Sequence, residues 1–230
     1  PFVSKRMDSV LLVGPDLSSL ETHAEGFGDF ELSLLYQTWR NANASVHLNL
    51  GISLPSGSID VAGHTPASGT GLARLAYPMQ LGSGTGDLLP GVTSTGQIEN
   101  WFWGGQLLGR LHAGTNSRGY RLGNRYEVQA WGGRDWLPWF GTSFRLRWQQ
   151  VFNINGEDPA QAAMTDPIMD PDRQAGERLD ALFGVDFFVY GGRYEGVRLA
   201  VEAGLPAYQR LDGPQPQQRW QLSAGIEYAF

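Results

Sequence analysis

The sequence predicts an all-β protein, an antiparallel transmembrane β-barrel of about 10–12 strands forming a single domain. Three observations predict it. Apolar residues recur at every second position through many segments of the 230-residue chain, the period of a strand with one apolar face. The connectors between these segments alternate between long and short. Aromatic residues collect at the segment ends.

Taken in chain order, the pattern places strands over approximately residues 5–13, 27–39, 44–54, 87–96, 100–113, 121–131, 140–153, 178–190, 195–205 and 219–230. In the third, Val46, Leu48, Leu50, Ile52 and Leu54 alternate with His47, Asn49, Gly51 and Ser53. Phe144, Leu146, Trp148 and Phe152 alternate with Ser143, Arg145, Arg147 and Gln149. Leu179, Ala181, Phe183, Val185, Phe187 and Val189 alternate with Arg178, Asp180, Gly184 and Asp186, and Val197, Leu199, Val201 and Ala203 with Arg198, Ala200, Glu202 and Gly204. At the C-terminus Trp220, Leu222, Ala224, Ile226, Tyr228 and Phe230 share one face, opposite Gln221, Ser223, Gly225, Glu227 and Ala229. A soluble sandwich or lipocalin-like barrel writes the same alternation, because the period alone does not say which face is inside.

Connector length separates the two. Residues 55–86, 154–176 and 206–217 form long connectors and 114–119 an intermediate one. Asn41-Ala42-Asn43, 96–99, 132–138 and Gly191-Gly192-Arg193 are short. Outer-membrane barrels sort their loops this way, with short periplasmic turns and longer extracellular loops. With both termini periplasmic, every long loop falls on the outside. Trp39, Trp101, Trp103, Trp131, Trp136, Trp139, Tyr190, Tyr194 and Phe230 lie at the short-turn ends, and Phe152, Tyr208 and Trp220 near the long-loop ends. Two such girdles suit two membrane–water interfaces.

Composition excludes other classes. A formal net charge of -6 gives no reason to expect nucleic acid. The absence of cysteine removes disulfides, thiolate metal sites and thiol nucleophiles. No run of about 18 apolar residues marks a transmembrane helix. Pro1 follows no charged-then-apolar leader, as expected of a processed or trimmed exported chain.

Segments 24–30, 54–60, 77–85, 87–91, 119–123 and 211–215, from Ala24-Glu25-Gly26-Phe27-Gly28-Asp29-Phe30 to Leu211-Asp212-Gly213-Pro214-Gln215, together resemble the outer-membrane family of meta-pathway phenol-degradation proteins, often described as transporters. The resemblance runs over nearly the whole chain. It implies a barrel and passage of a small, hydrophobic or aromatic solute. Members usually begin with further strands, so it also implies a twelve-stranded barrel whose first strands precede Pro1. It carries no catalytic or binding residue across.

The face opposite the apolar one supplies the candidate lumen lining: Arg110, His112, Arg125, Glu127, Arg145, Arg147, Arg178, Asp180, Asp186, Arg198, Glu202 and Glu227. Neighbouring strands are expected to set Arg145 and Arg147 between Arg125 and Glu127 on one side and Arg178 and Asp180 on the other. Such a ladder either lines a pore that favours anions or forms a salt-bridged plug, since a barrel of this size is narrow. The plugged alternative is a non-conducting structural or adaptor barrel that presents its loops or supports a partner protein. Trp220, Leu222, Ile226, Tyr228 and Phe230 resemble the C-terminal signal by which outer-membrane barrels are handed to their insertion machinery. Asp158, Asp166, Asp170 and Asp172 could bind calcium, but their spacing does not match the alternate-ligand loop. His23, His47, His64 and His112 show no zinc spacing. Ser53 and His47 share a face without further sign of a hydrolase. No enzymatic activity, metal or cofactor is expected. The expected partners are outer-membrane lipid (lipopolysaccharide and phospholipid), the insertion machinery and a small solute. The Gly-, Ser- and Pro-rich 55–86 loop, with apolar Ala76-Tyr77-Pro78-Met79, is expected to fold as a cap.

Overall fold

The computed structural model describes residues 1–13, 16–64, 71–162, 167–189 and 191–228. Tyr190, Asp166, Ala229 and Phe230, named above, lie outside them. The strands are β1 (Phe2–Val13), β2 (Asp16–Phe27), β3 (Phe30–Arg40), β4 (Ala44–Leu54), β5 (Ala62–Gly63), β6 (Ala73–Arg74), β7 (Gly86–Ile98), β8 (Trp101–Ala113), β9 (Tyr120–Arg121), β10 (Arg125–Leu137), β11 (Phe140–Val151), β12 (Asn155–Gly156), β13 (Gly176–Phe188), β14 (Val197–Leu211) and β15 (Gln221–Tyr228). Nine of them form one antiparallel sheet in the order β15-β14-β13-β11-β10-β8-β7-β4-β3. Among the described residues the sheet does not close on itself. β3 and β15 are its edges, and among the described residues neither outer edge has a strand partner. No helix among the described residues is long and apolar enough to cross a membrane.

Three elements differ from the sequence reading, the last of them β14, which runs on to Leu211 where a connector was expected from residue 206. The first predicted strand does not join the sheet: β1 pairs along its whole length with β2, from Phe2 opposite Phe27 to Val13 opposite Asp16. β2 escapes an alternation test because Ser18, Ser19, Glu21, Thr22, His23 and Glu25 make it polar at most positions. Residues 132–137 are not a turn but the end of β10, which runs on to a two-residue connection at Pro138–Trp139. Gly132 and Gly133 read as breakers, yet Gly133 is there for space. A Cβ on it would lie 2.2 Å from the Phe102 ring.

Sorting of connectors by length survives these corrections. The sheet turns at 41–43, 99–100, 138–139 and 189–196 at one end, and at 55–85, 114–124, 152–175 and 212–220 at the other. Asn41 closes the first turn by accepting the amides of Asn43 and Ala44 on Oδ1, at 2.9 and 2.7 Å.

The long connectors and the β1–β2 hairpin build a cap at their end of the sheet. Leu75, Ala76, Tyr77, Met79, Tyr120, Ile154, Met169 and Ala175 are buried in it. On the strands the burial is inverted. Leu34, Leu50, Leu88, Leu107, Val128, Leu146, Phe183 and Ile226 are exposed, whereas Asp87, Gln129, Gln149, Asp180 and Asp186 on the other face are buried. The sheet curls about that polar face. Glu31 on β3 reaches Arg110 on β8 across two intervening strands, and one cavity touches eight of the nine strands of the sheet, all but β15.

Candidate functional site

Period-two geometry puts the charged residues of successive strands side by side, and the register decides which meet. All twelve predicted lining residues lie on the polar face; eleven make ion pairs, and His112 contacts the Asp87 carboxylate. Arg145 Nε bonds Glu202 at 2.9 Å. Arg198 bridges Asp186 at 2.8 Å and Glu227 at 3.3 Å. Arg125 bonds Glu127 at 3.0 Å. Arg147 Nη2 and Arg178 Nε both donate to Asp180 Oδ2, at 2.7 and 3.0 Å, and Asp180 has no exposed surface. Arg110 holds Glu31 and lies 3.5 Å from Asp87, whose other oxygen is 2.9 Å from His112 Nδ1.

Register corrects one expectation. Arg145 and Arg147 face Trp131 and Gln129 on β10, not Arg125 and Glu127, which sit opposite Val151 and Gln149; on β13 Arg147 meets Asp180 as expected, but Arg145 faces Leu182 and Arg178 sits opposite Gln149. The guanidinium of Arg145 lies 5.2 Å from the Trp131 ring centroid. Trp131 therefore belongs to the polar face and not to an aromatic rim. Its ring covers Gly104, where a Cβ would come within 2.2 Å of it. The other described rim aromatics, Trp39, Trp101, Trp103, Trp136, Trp139 and Tyr194, are exposed near the short turns, and Phe152, Tyr208 and Trp220 near the long ones. Trp220, Leu222, Ile226 and Tyr228 are likewise exposed, with Trp220 just ahead of β15.

Uncharged residues complete what charge alone did not mark. Asn49 Nδ2 donates to Thr93 Oγ1 at 2.9 Å, Gln106 to the same oxygen at 2.7 Å, Gln129 to Gln106 at 2.5 Å and Arg145 to Gln129 at 2.9 Å. With the Arg145–Glu202 pair this is an unbroken belt over β4, β7, β8, β10, β11 and β14. It separates a cavity of about 730 Å³ at the short-turn end, lined by Trp131, Phe102 and Asp135, from a cavity of about 370 Å³ that includes Asn49, Gln106 and Arg110. Beyond the second lies one of about 620 Å³ under the cap. Asp135 was also missed. Its Oδ1 is buried without a hydrogen-bond partner, beside Gly141.

At the neck of the cap, Asp29 accepts the amides of Gly57 and Ser83, both at 2.8 Å, tying the two legs of the 55–85 connector to the start of β3. The legs touch at Gly57 and Gly82, where a Cβ on Gly82 would sit 2.4 Å from the Gly57 carbonyl oxygen. Three of the segments behind the family resemblance thus meet at one point. Higher up, Arg74 binds Asp158 and Asp60, and Arg118 binds Asp60 at 2.7 Å. The Tyr77 hydroxyl accepts the Asp158 amide at 3.0 Å, and Tyr77 stacks edge-on against Tyr120. Burial pushes the Tyr120 phenol up to about 12, so it stays neutral in the cap core. Lys5 Nζ, on the hairpin, donates to the carbonyls of Pro78 and Gln80 at 2.9 and 2.5 Å, and burial lowers its pKa.

Two of the described aspartates in the 152–175 connector, Asp158 and Asp170, are occupied structurally. Asp158 holds Arg74, and Asp170 accepts the Asp172 amide and pairs with Arg173 at 3.1 Å. Among the described residues no three acidic or histidine side chains converge as a metal site. Ser53 is buried with its Oγ unpartnered. It stands six residues from His47 along β4, about 20 Å at the rise of a strand.

Replacing Asp29 with alanine removes two charge-assisted hydrogen bonds worth about 2 kcal/mol each. We expect protease to cut the 55–85 connector of Asp29→Ala while circular dichroism reports an unchanged sheet. Resistance equal to that of the native chain would mean that the neck does not depend on this carboxylate.

No protein-family model matches the chain, and no curated protein matches it.

Proposed function

We propose that the sheet is the wall of a bacterial outer-membrane β-barrel, with its short turns and both termini on the periplasmic side, that passes a small, hydrophobic or aromatic solute through a narrow lumen closed at rest. The observation that carries the reading is the inverted burial. Rows of leucine, valine and phenylalanine face outward along the strands, while carboxylates and guanidinium groups are buried and paired behind them. In water such a surface would be far larger than the apolar patch an ordinary monomer exposes. In lipid it is the matching surface, and the exposed tryptophans near the turns fall where indoles favour the interface. Lipid also requires every backbone group of the edges β3 and β15 to be paired, which closure of the barrel accomplishes.

Cavities of about 730 and 620 Å³ at the two ends fall within the size range of small-molecule sites. The belt between them and the cap above are two constrictions. Because the arginines are paired with carboxylates, we do not read them as an anion-selective lining. The same belt favours a second reading, a non-conducting barrel that presents its cap or supports a partner protein. Single-channel recording of the full protein in a planar bilayer decides. We expect the native chain to be mostly silent and the Gln106→Ala/Gln129→Ala variant, cut at the belt, to show stable openings. Silence from that variant, shown to be folded and inserted, would leave the adaptor barrel as the better account.

A further inference from the structure

Pro90 stands in the middle of β7, an interior strand of the sheet. Proline carries no N–H for a ladder and is ordinarily confined to edges and bulges. Here the consequence falls on one seam. β7 keeps its pairing with β4, Leu89 opposite Gly51 and Pro90 opposite Leu50. Toward β8 the ladder pairs Leu88 with Leu111 and resumes only at Gly91 with Leu108, so Leu89 and Pro90 face Gly109 and Arg110 unpaired. The Pro90 ring instead lies near Gly109, 3.4 Å from where a Cβ would stand.

Cavities flank this gap on both faces. Outside is an apolar groove of about 590 Å³, lined by Leu32, Leu50, Ile52, Leu88, Pro90 and Leu111. Inside is the cavity of about 370 Å³ that includes Leu35, Leu89, Leu108, Gly109 and Arg110. Leu89 lines both. On an inner face rich in ion pairs and amides, Leu35, Leu89 and Leu108 gather directly behind the seam and line one cavity. Leu108 lies across Gly91, with its Cδ2 2.6 Å from where a Cβ would be. An apolar groove, an unpaired seam and an apolar patch thus follow one another through the wall.

We propose that the β7–β8 seam at Leu89–Pro90 and Gly109–Arg110 is a lateral portal, through which a small apolar molecule dissolved in the bilayer exchanges with the inner cavity on the cap side of the belt. The inference rests on the membrane-wall reading above and adds to it the route of exchange. Passage through the seam avoids both the cap and a first step through water, which an apolar solute disfavours.

The chain has no cysteine, so single cysteines report cleanly. Leu107→Cys probes the outer face, Leu108→Cys the inner face at the seam, and Ser143→Cys the inner face away from it. Each is labelled with bimane in the full protein, inserted in phosphatidylcholine vesicles that contain a small apolar nitroxide. We expect strong quenching at 107, clear quenching at 108 and little at 143. Pro90→Val restores the N–H, and with it quenching at 108 should fall to the level at 143. Equal quenching at 108 and 143 with strong quenching at 107 overturns the portal and leaves the membrane wall standing. No quenching at 107 overturns the membrane reading and the portal with it. If a mid-chain doxyl phosphatidylcholine quenches 108 as well as the small nitroxide does, lipid tails fill the seam and solute exchange is overturned. Should Pro90→Val fail to insert, the three positions compared in the unaltered seam decide the matter.

Discussion

Asp180→Ala should destabilise the protein by about 3 kcal/mol, the cost of removing one member of a buried ion cluster and stranding its partners. Asp180 is fully buried and its carboxylate serves two guanidinium groups, of Arg147 and Arg178. Without it those two cations face each other across neighbouring strands. Arg147→Ala should cost less, because Arg178 still neutralises the carboxylate, and Asp180→Asn should fall between the two. Denaturant unfolding in lipid vesicles, followed by tryptophan fluorescence, measures all three. A loss below about 1 kcal/mol for Asp180→Ala, the size of an exposed pair, would mean that water reaches the cluster and that the polar face is not a dry plug at this level.

Gly123→Ala should damage the cap as severely as any single methyl can. Its Cβ would lie 1.8 Å from the Phe152 carbonyl oxygen and 2.6 Å from that of Asn153. Both are backbone atoms in a segment tied to the 114–124 connector by the bond from the Phe152 amide to Asn124, so no side chain can swing aside. The two connectors must separate, opening the Tyr77–Tyr120–Ile154 cluster between them. Overpacking of this kind costs about 1–3 kcal/mol, with the upper end expected here. Limited proteolysis should then cut in 152–175 while the sheet persists. Gly105→Ala is the matched control, since its Cβ would meet only the Gln129 carbonyl oxygen, at an ordinary 3.7 Å. Equal protease resistance of the two variants would refute the argument from space.

Much of the site was legible because strand periodicity is a local property. Arg145, Arg147, Asp180 and Glu202 could be assigned to one face from neighbours two positions away, and the structure keeps them there. Which of them touch was not legible. A shift of one strand by two residues preserves every face and changes every partner, so Arg147 meets Gln129 where Glu127 was expected. Asn49, Thr93, Gln106 and Gln129 were passed over because nothing but their position in the register distinguishes them from solvated polar residues. Trp131 was assigned to a rim because Gly132 and Gly133 looked like a turn, whereas both lie within β10 and Gly133 makes room there for the Phe102 ring. Asp29 gave no sign of its role, since the amides it accepts lie 28 and 54 residues further on.

By itself, then, the sequence determined an all-β chain, the two-faced character of its strands, the separation of long from short connectors and the membership of each face. These depend on spacing along the chain, which composition and alternation record directly. Tertiary structure alone decided that the apolar face is the exposed one and that the first strand leaves the sheet to form a hairpin. It also decided which carboxylate neutralises which arginine, and that a proline in β7 leaves a seam between two cavities. Those depend on contacts between residues far apart in sequence, whose energies act only once the strands are in register.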